Sequence, residues 1–444
     1  MYSKSGFEMN IRTESVPIEN AKNCIVFTHD MDLAPAPGIT VKGRRQKGYW
    51  DVTPLANLND LMLGYNAKLV SLLKKCQKFV SHIYIHPVQG SLASKATVLV
   101  DATITLNYVG KAGNDFKVEI TESKGTYTLR VTKKDAVIES ITLKKLEDIN
   151  TYSNLVRITG HAEKELAAVE ATPLSGGTSA TMTVGTYGDF LTKIEHLADA
   201  VIVTPLVESK LSDVDTLTLN TVNSLREGFQ NIRMVTHGNE RFDDTPYANT
   251  VFNGFVDSTN TLWTRENAKL MYACLSAGTS PKNSNTNADI STLFGAVELD
   301  RDYTRKELSD AESKGAICFI QRRFDEVRLS GDVTNFIQSG ESLVQDMFMT
   351  TKAQVTVDYI IGDIRDQFET EMKGKVPCNQ RSAQTYEDSI FGKLKGWEKD
   401  TIIEEVTRSD VQVTIVAKNA FKLLLGLQPV DSLEKLFVEV VLKN

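Results

Sequence analysis

The sequence predicts a multidomain α+β/α/β protein. A largely parallel α/β core carries an inserted antiparallel β domain and is followed by a C-terminal α+β domain. Three observations carry this reading. Between about 91 and 160, apolar and polar residues alternate at period two in short runs bounded by turn residues. After Ser175-Gly-Gly177 the pattern changes to continuous apolar strands alternating with amphipathic helices. The last hundred or so residues open with two long helical patterns and end in strand-sized apolar runs.

Each element follows from local chemistry. The first two dozen residues carry few apolar side chains and read as an extended arm. Cys24 to Phe27 is a short apolar strand, 30–38 a Pro-rich loop, 69–80 a helix by its spacing, and 82–86 a strand that Pro87 should stop. In the β domain, Val98 through Leu106 reads as one alternating strand. Phe116–Ile120, Tyr127–Val131 and Val137–Ile141 follow, with turns at Gly113-Asn114-Asp115 and Lys124-Gly125. Alternation of this kind means an antiparallel sheet with one polar face. Beyond it, Tyr187, Phe190, Leu191, Ile194 and Leu197 mark a helix face, and 200–204 is a buried strand. A helix over 219–229 and a strand over 232–235 come next. Thr264 is then placed to cap a helix with Leu270, Ala273, Cys274 and Ala277 on one side, and 315–320 reads as another buried strand. The C-terminal helices carry Val357, Ile360, Ile361, Ile364 and Phe368, then Ile390, Leu394 and Trp397. Strands over 411–416 and 436–442 close the chain.

Composition narrows the function classes. The 444 residues amount to about three domains at ~150 residues each. With 41% hydrophobic and 24% charged residues, collagen-like, low-complexity and wholly disordered chains are excluded. A net charge of −7 gives no overall attraction to nucleic acid or anionic membrane. The five cysteines (Cys24, Cys76, Cys274, Cys318, Cys378) are odd in number and lack CxxC pairs; four sit among apolar neighbours and read as reduced core residues. The first residues do not resemble a signal peptide, and no apolar run approaches the ~18 residues that span a bilayer. A reducing cytoplasm is the expected place of synthesis.

No constellation spells an enzyme. Lys42, Arg44, Arg45 and Lys47 beside Tyr49 and Trp50 resemble a phosphate-tracking patch, but a solvated loop on an acidic chain explains them as well. Gly38 to Arg45 approaches a P-loop yet lacks its Lys and Ser/Thr. His82 and His86 have helical zinc spacing, but in a strand they stand ~13 Å apart. His29-Asp30 and His196 have no nucleophile motif to serve. The acidic groups Asp243-Asp244, Glu298 to Asp302 and Glu404-Glu405 lack EF-hand spacing. No catalytic residue, cofactor or metal site is assigned. The segment Lys435, Leu436, Phe437, Val438, Glu439, Val440, Val441 and Leu442 is different. So apolar a strand at a chain end needs a partner, and donation to a neighbouring subunit by strand addition would supply one.

In order and spacing, several motifs from about Lys68 onward resemble the contractile tail sheath proteins of tailed phages and phage-tail-like particles. They are Lys95-Ala96-Thr97, Tyr108 to Asp115, Leu174 to Gly177, and Val327 to Asn335. Asp358 to Phe368, Gly374-Lys375-Val376, Asn379 to Arg381, Asp410-Val411 and Gln428 to Phe437 continue the resemblance. The N-terminal arm departs from the family's proline-glycine-aromatic opening at Ser5 to Glu8, and Thr178-Ser179 follows Gly177 where aspartate-glycine is common.

The resemblance implies a subtilisin-like core and the following divisions: arm 1–22, core 23–88, inserted β domain 89–175, core 176–340, and C-terminal sheath domain 341–444 with a strand-donating arm. It implies a non-enzymatic subunit that polymerises around a tail tube and contracts to drive the tube through a cell envelope. Its partners would be other copies of itself, the tube protein, and baseplate and terminator proteins, with no nucleic acid and no membrane insertion. Its location would be the virion tail sheath, assembled in the bacterial cytoplasm. Lys373, Lys375, Arg381, Lys393 and Lys395 are the candidate tube contacts. An α/β hydrolase and a nucleic-acid or polysaccharide-binding module are the competing classes, and the first founders on the missing triad.

Overall fold

The computed structural model describes residues 24–30, 34–35, 40–41, 44–45, 50–54, 67–88, 93–99, 102–160, 165–178, 183–197, 200–205, 213–228, 230–323, 326–337 and 347–431. The N-terminal arm and the segment 435–442 lie outside these residues. Within them the fold is mixed α and β, with several separate sheets.

The central sheet has seven strands in the order Ala316–Ile317, Ala248–Val251, Arg233–His237, Ala200–Pro205, Cys24–Asp30, His82–Val88, Trp50–Val52. All pairings are parallel except the last. Continuous apolar strands such as Cys24-Ile-Val require cover on both faces, and both are covered. On one face lie the helices Ala67–Cys76 and Arg265–Gly278 with Leu72, Leu73, Trp263, Leu270 and Met271. On the other lie Val184–Ile194 and Val214–Glu227 with Tyr187, Phe190, Leu219 and Val222.

The chain leaves this sheet after Val88 and returns at Ala200. In between, Ala136–Leu143, Thr126–Lys133, Phe116–Ser123 and Val169–Pro173 form one antiparallel sheet. Val156–Thr159, Ala102–Val109 and Ala93–Leu99 belong to a second. Their inner faces share an apolar cluster that includes Ile104, Leu106, Phe116, Ile120, Leu129 and Val156. The Lys124-Gly125 turn has both residues at positive φ (52° and 75°), the conformation a tight hairpin needs.

The C-terminal region has its own core. The helices Thr351–Gln367 and Gln380–Lys399 pack with the hairpin Val411–Ala417/Ala420–Leu425 around Ile360, Ile364, Tyr386, Ile390, Leu394 and Val411. Asn379 caps the second helix by accepting from Ser382 N at 2.9 Å.

Several elements differ from expectation for identifiable reasons. The run 98–106 is two antiparallel strands, with Leu99 opposite Ala102. A two-residue reversal preserves period two, so the pattern conceals it. The strand at His82 continues through Pro87 to Val88, paired with His29 and Asp30. The 315–320 run divides: Ala316–Ile317 stays in the central sheet, while Phe319–Arg323 pairs with Glu326–Leu329. The buried Asn253 amide takes the ladder position beside Phe319, accepting from its N–H at 2.8 Å and donating to its carbonyl at 2.9 Å. The helix Arg265–Gly278 is buried on all sides from Ala268 to Ala277, not on one. Thr264 occupies its N-cap position, but its hydroxyl donates to Glu266 instead of accepting from the helix. Ile361 faces outward. The strand 411–416 finds its partner in Ala420–Leu425, a pairing the sequence pattern did not supply.

His86 illustrates the cost of the tight face between strand and helix. It is 5% exposed, edge-on to Phe190 with ring centroids 5.8 Å apart. Burial, aided by Lys193, lowers its pKa to about 4. The unfolded chain therefore binds a proton that the folded chain refuses between about pH 6.5 and 4, so this group's stabilising effect is intact above that window and lost on descending through it. The loss should reach the order of 3 kcal/mol. Urea unfolding from pH 7 to 4 should show a steeper decline for the parent than for His86→Leu; parallel curves would contradict it.

Candidate functional site

Among the described residues, the chemistry-bearing side chains singled out from the sequence are not gathered at one place. Two buried polar networks lie instead at joints between modules. The first joint is built on Asp332, in the segment Gly331-Asp-Val-Thr-Asn335. Its carboxylate is 2% exposed and accepts from Tyr272 Oη at 2.6 Å, from Asn285 N at 3.0 Å and from Asn285 Nδ2 at 3.1 Å. Its carbonyl accepts from Thr351 N at 2.9 Å, at the start of the C-terminal helix. Asn249 Nδ2 adds bonds to Thr351 Oγ1 at 2.9 Å and to the Val333 carbonyl at 2.8 Å. Burial and the Asp332 charge hold the Tyr272 hydroxyl well above its ordinary pKa, so it remains a donor.

The second joint closes the β domain. Lys95 and Ser175 form an antiparallel bridge between its entering and leaving strands. Next to it, Asn114 Oδ1 accepts from Gly177 N at 2.8 Å and from Ser94 Oγ at 2.7 Å, and Asn114 Nδ2 donates to the Gly177 carbonyl at 3.0 Å. The glycine pair is required physically. Gly176 has φ +88°, and a Cβ on Gly177 would stand 2.3 Å from the Gly110 carbonyl oxygen. Three motifs distant in sequence therefore meet at one point.

The carboxyl ends of the parallel strands are where an α/β enzyme would hold its ligand. Here the fully buried Lys269 ammonium donates to the Pro205 carbonyl and lies 3.1 Å from His237 Nδ1, with the Asp215 and Glu266 charges nearby. Burial lowers its pKa to about 8, against the pull of both carboxylates. The cluster satisfies itself. No sequence motif announces it, because its members come from four separate elements.

The other sequence candidates are dispersed. His82 Nδ1 lies 2.7 Å from Asp51 Oδ1 and its ring stacks on Tyr84, while His86 is buried elsewhere. Among the described residues no group of three or more His, Cys, Asp or Glu is placed to hold a metal, and no helix is long and apolar enough to cross a membrane. Four of the five tube-contact candidates are engaged within their own domain. Lys373 pairs with Glu369 at 2.7 Å, and Lys375 Nζ donates to the Thr370 carbonyl at 2.5 Å. Lys393 pairs with Asp363 at 2.5 Å and Lys395 with Glu398 at 2.7 Å. Arg381 is exposed in the first turn of the second helix, about 21 Å along its axis from Lys395. What the C-terminal region does expose is its two-stranded hairpin, with Ile415 41%, Val416 60% and Leu424 57% accessible.

A doubly covered parallel sheet, a stitched-on β domain and a C-terminal α+β unit with an apolar hairpin define a fold seen in tail sheath proteins. The sheath tail protein of Desulfitobacterium hafniense is 18% identical and superposes with a TM-score of 0.76 over 98% of this chain and 99% of that one. The sheath tail protein of Listeria innocua, also 18% identical, gives 0.74 over 93% of each. The contracted helical sheath of the anti-feeding prophage, 8% identical, gives 0.57 over 99% of each. Residues 346–443 match the phage tail sheath C-terminal domain. The chain thus has the fold of the tail sheath proteins and a C-terminal region that matches their family model. It is also 24% identical over 430 residues to the uncharacterized protein YqbK of Bacillus subtilis (strain 168), covering 89% of this chain and 90% of that one.

The second joint can be tested directly. Gly177→Ala should destabilise the subunit through the clash with the Gly110 carbonyl, and Asn114→Ala by about 1–3 kcal/mol by leaving the Gly177 amide groups unpaired. Limited proteolysis should open both variants near 89–95 and 175–183 first. Resistance equal to the parent's would show that the joint carries little.

Proposed function

We propose that this chain is a structural sheath subunit that polymerises around a tail tube and contracts to drive it through a target envelope, without bond chemistry of its own. The observation that carries the reading is the exposed hairpin Val411–Ala417/Ala420–Leu425, lying in the region that matches the phage tail sheath C-terminal domain. A two-stranded sheet is marginal in water; Glu387 engages the edge of Val411–Ala417 at Val413 N, and among the described residues no strand pairs with the outer edge of Ala420–Leu425. Thirteen residues, 432–444, follow the described part of the chain and contain the apolar segment from Lys435 to Leu442. Donated to the hairpin edge of a neighbouring copy, that segment would satisfy both its own backbone and the open edge. A contact that is not closed by symmetry generates a helical array.

The same reading takes 89–175 as an inserted β domain in a subtilisin-like core spanning 23–88 and 176–340, with 341–444 as the sheath domain. The parallel sheet that spans the strands on either side of the β domain supports it. The tube protein, baseplate and terminator proteins are the proposed partners, and the tail sheath of a phage or phage-tail-like particle the proposed location. The tube contact at Lys373, Lys375, Arg381, Lys393 and Lys395 stays part of the proposal. Arg381 is its strongest member, since it alone of the five has no side-chain hydrogen bond or ion pair among the described residues.

Negative-stain electron microscopy of concentrated full-length protein should show tubes or long oligomers. Deletion of 435–444 should leave a folded subunit by circular dichroism that no longer polymerises. Assembly of the truncated chain like the parent would overturn the strand-donation reading, and so would unfolding, which would place the strand in the subunit's own core.

A further inference from the structure

One helix, Thr351–Gln367, is buried in two different ways along its length. Its first half turns Thr351, Lys352, Gln354, Thr356 and Asp358 inward, and its second half sends Ile360 and Ile364 into the C-terminal apolar cluster. Where the halves meet, Asp358 is clasped by Arg226 of the core helix Val214–Glu227. Arg226 NH2 donates to Oδ1 at 2.5 Å and NH1 to Oδ2 at 3.1 Å, with the two side chains only 14% and 10% exposed. The guanidinium is itself immobilised. It lies 3.9 Å over the Tyr247 ring, and NH1 also donates to the Ile232 carbonyl at 3.0 Å. Gln354 Nε2 donates to Asp358 Oδ1 at 2.9 Å and Asn231 Nδ2 to the Asp358 carbonyl at 2.7 Å.

Further from the core, the remaining links are also polar. Thr356 Oγ1 donates to the Pro281 carbonyl at 3.3 Å, and the exposed Lys282 pairs with Asp400 at 3.3 Å. Among the described residues no apolar cluster draws side chains from both sides of this boundary. Apolar contact is non-directional and tolerates sliding, whereas a bidentate, stacked arginine has one geometry.

We propose that the Arg226–Asp358 clasp is a positioning contact that sets the angle of the C-terminal domain on the core, and thereby the accuracy with which one subunit meets the next. The second half of the proposal rests on the sheath reading. The leverage is considerable. The 20-residue helix Gln380–Lys399 is about 30 Å long, so a tilt of about 5° at the clasp moves its far end by about 2.6 Å. That is half the ~4.8 Å spacing between paired strands, enough to spoil strand addition at the hairpin.

The test measures the angle in the isolated subunit and assembly separately. Nitroxide labels at Asn223→Cys and Gln384→Cys, in a Cys378→Ser background, report the distance between the core and the end of the C-terminal helix farthest from the clasp by pulsed electron resonance. The parent should give one narrow distribution, and Asp358→Asn a distribution broadened by several ångström. Arg226→Lys keeps the charge but loses the fork, and should broaden it similarly; this variant serves if Asp358→Asn does not fold. In polymerisation assays both should raise the critical concentration about tenfold, equivalent to about 1.4 kcal/mol per contact. Distributions indistinguishable from the parent's would overturn the clasp. Broadened distributions with unaltered polymerisation would overturn its role in docking, and a parent that never polymerises would instead remove the sheath reading and leave the clasp standing.

Discussion

A carboxylate taken out of water must be satisfied before anything around it can pack, and Asp332 is the carboxylate on which this subunit closes. Its partners come from the most deeply buried helix (Tyr272), from a loop beyond that helix (Asn285) and from the first residue of the helix that begins the C-terminal region (Thr351). Tyr272 and Thr351 also approach each other, at 3.3 Å between hydroxyls, so the partners are tied together as well as to Asp332. The central sheet, the helix across it and the C-terminal helix are consequently set relative to one another by a network with one good arrangement. Around it the chain repeats the pattern: a stacked arginine on Asp358, and an asparagine amide between Ser94 and Gly177.

The architecture that results is a set of apolar cores connected through polar joints. The two faces of the central sheet, the β domain and the C-terminal region each have a cluster of aliphatic and aromatic side chains, with Val109 and Ala93 at the base of the β domain joining the cluster of the central sheet. Polar joints are directional, and directionality would suit the sheath subunit proposed above, which has to hold position within a polymer. A large shared apolar interface would add stability but would leave the angle between modules less sharply defined. The exposed apolar groups at Ile415, Val416 and Leu424 mark where a subunit of this design has surface left to share.

Much of this fold is legible in the sequence because it rests on period. The alternation at Phe116, Val118 and Ile120, the helical spacing at Tyr187, Phe190 and Ile194, and the continuous strand at 200–204 all describe burial that the structure contains. Period conceals reversals that preserve parity, as at Leu99 and Ala102, and it conceals a side chain that substitutes for a strand, as Asn253 does beside Phe319. The joints were visible only as motifs without a stated reason. Asn114 and Gly177 are 63 residues apart, and Arg226 and Asp358 are 132 apart. Nothing local in a sequence joins residues at that separation. Lys269 gave no signal, since a lysine inside an amphipathic pattern reads as solvent-facing. The tube-contact candidates came from the resemblance and their charge, and no local pattern told that Lys373, Lys393 and Lys395 pair with carboxylates of their own domain.

The central claim is that separately cored modules are held by polar joints, and native-state hydrogen exchange in rising urea measures it most directly. The account predicts that amides of 360–425 reach exchange together, at a lower denaturant concentration than those of the central sheet, and that Asp332→Ala widens the gap by loosening the joint. A single transition shared by both regions, unmoved in relative order by Asp332→Ala, would contradict it.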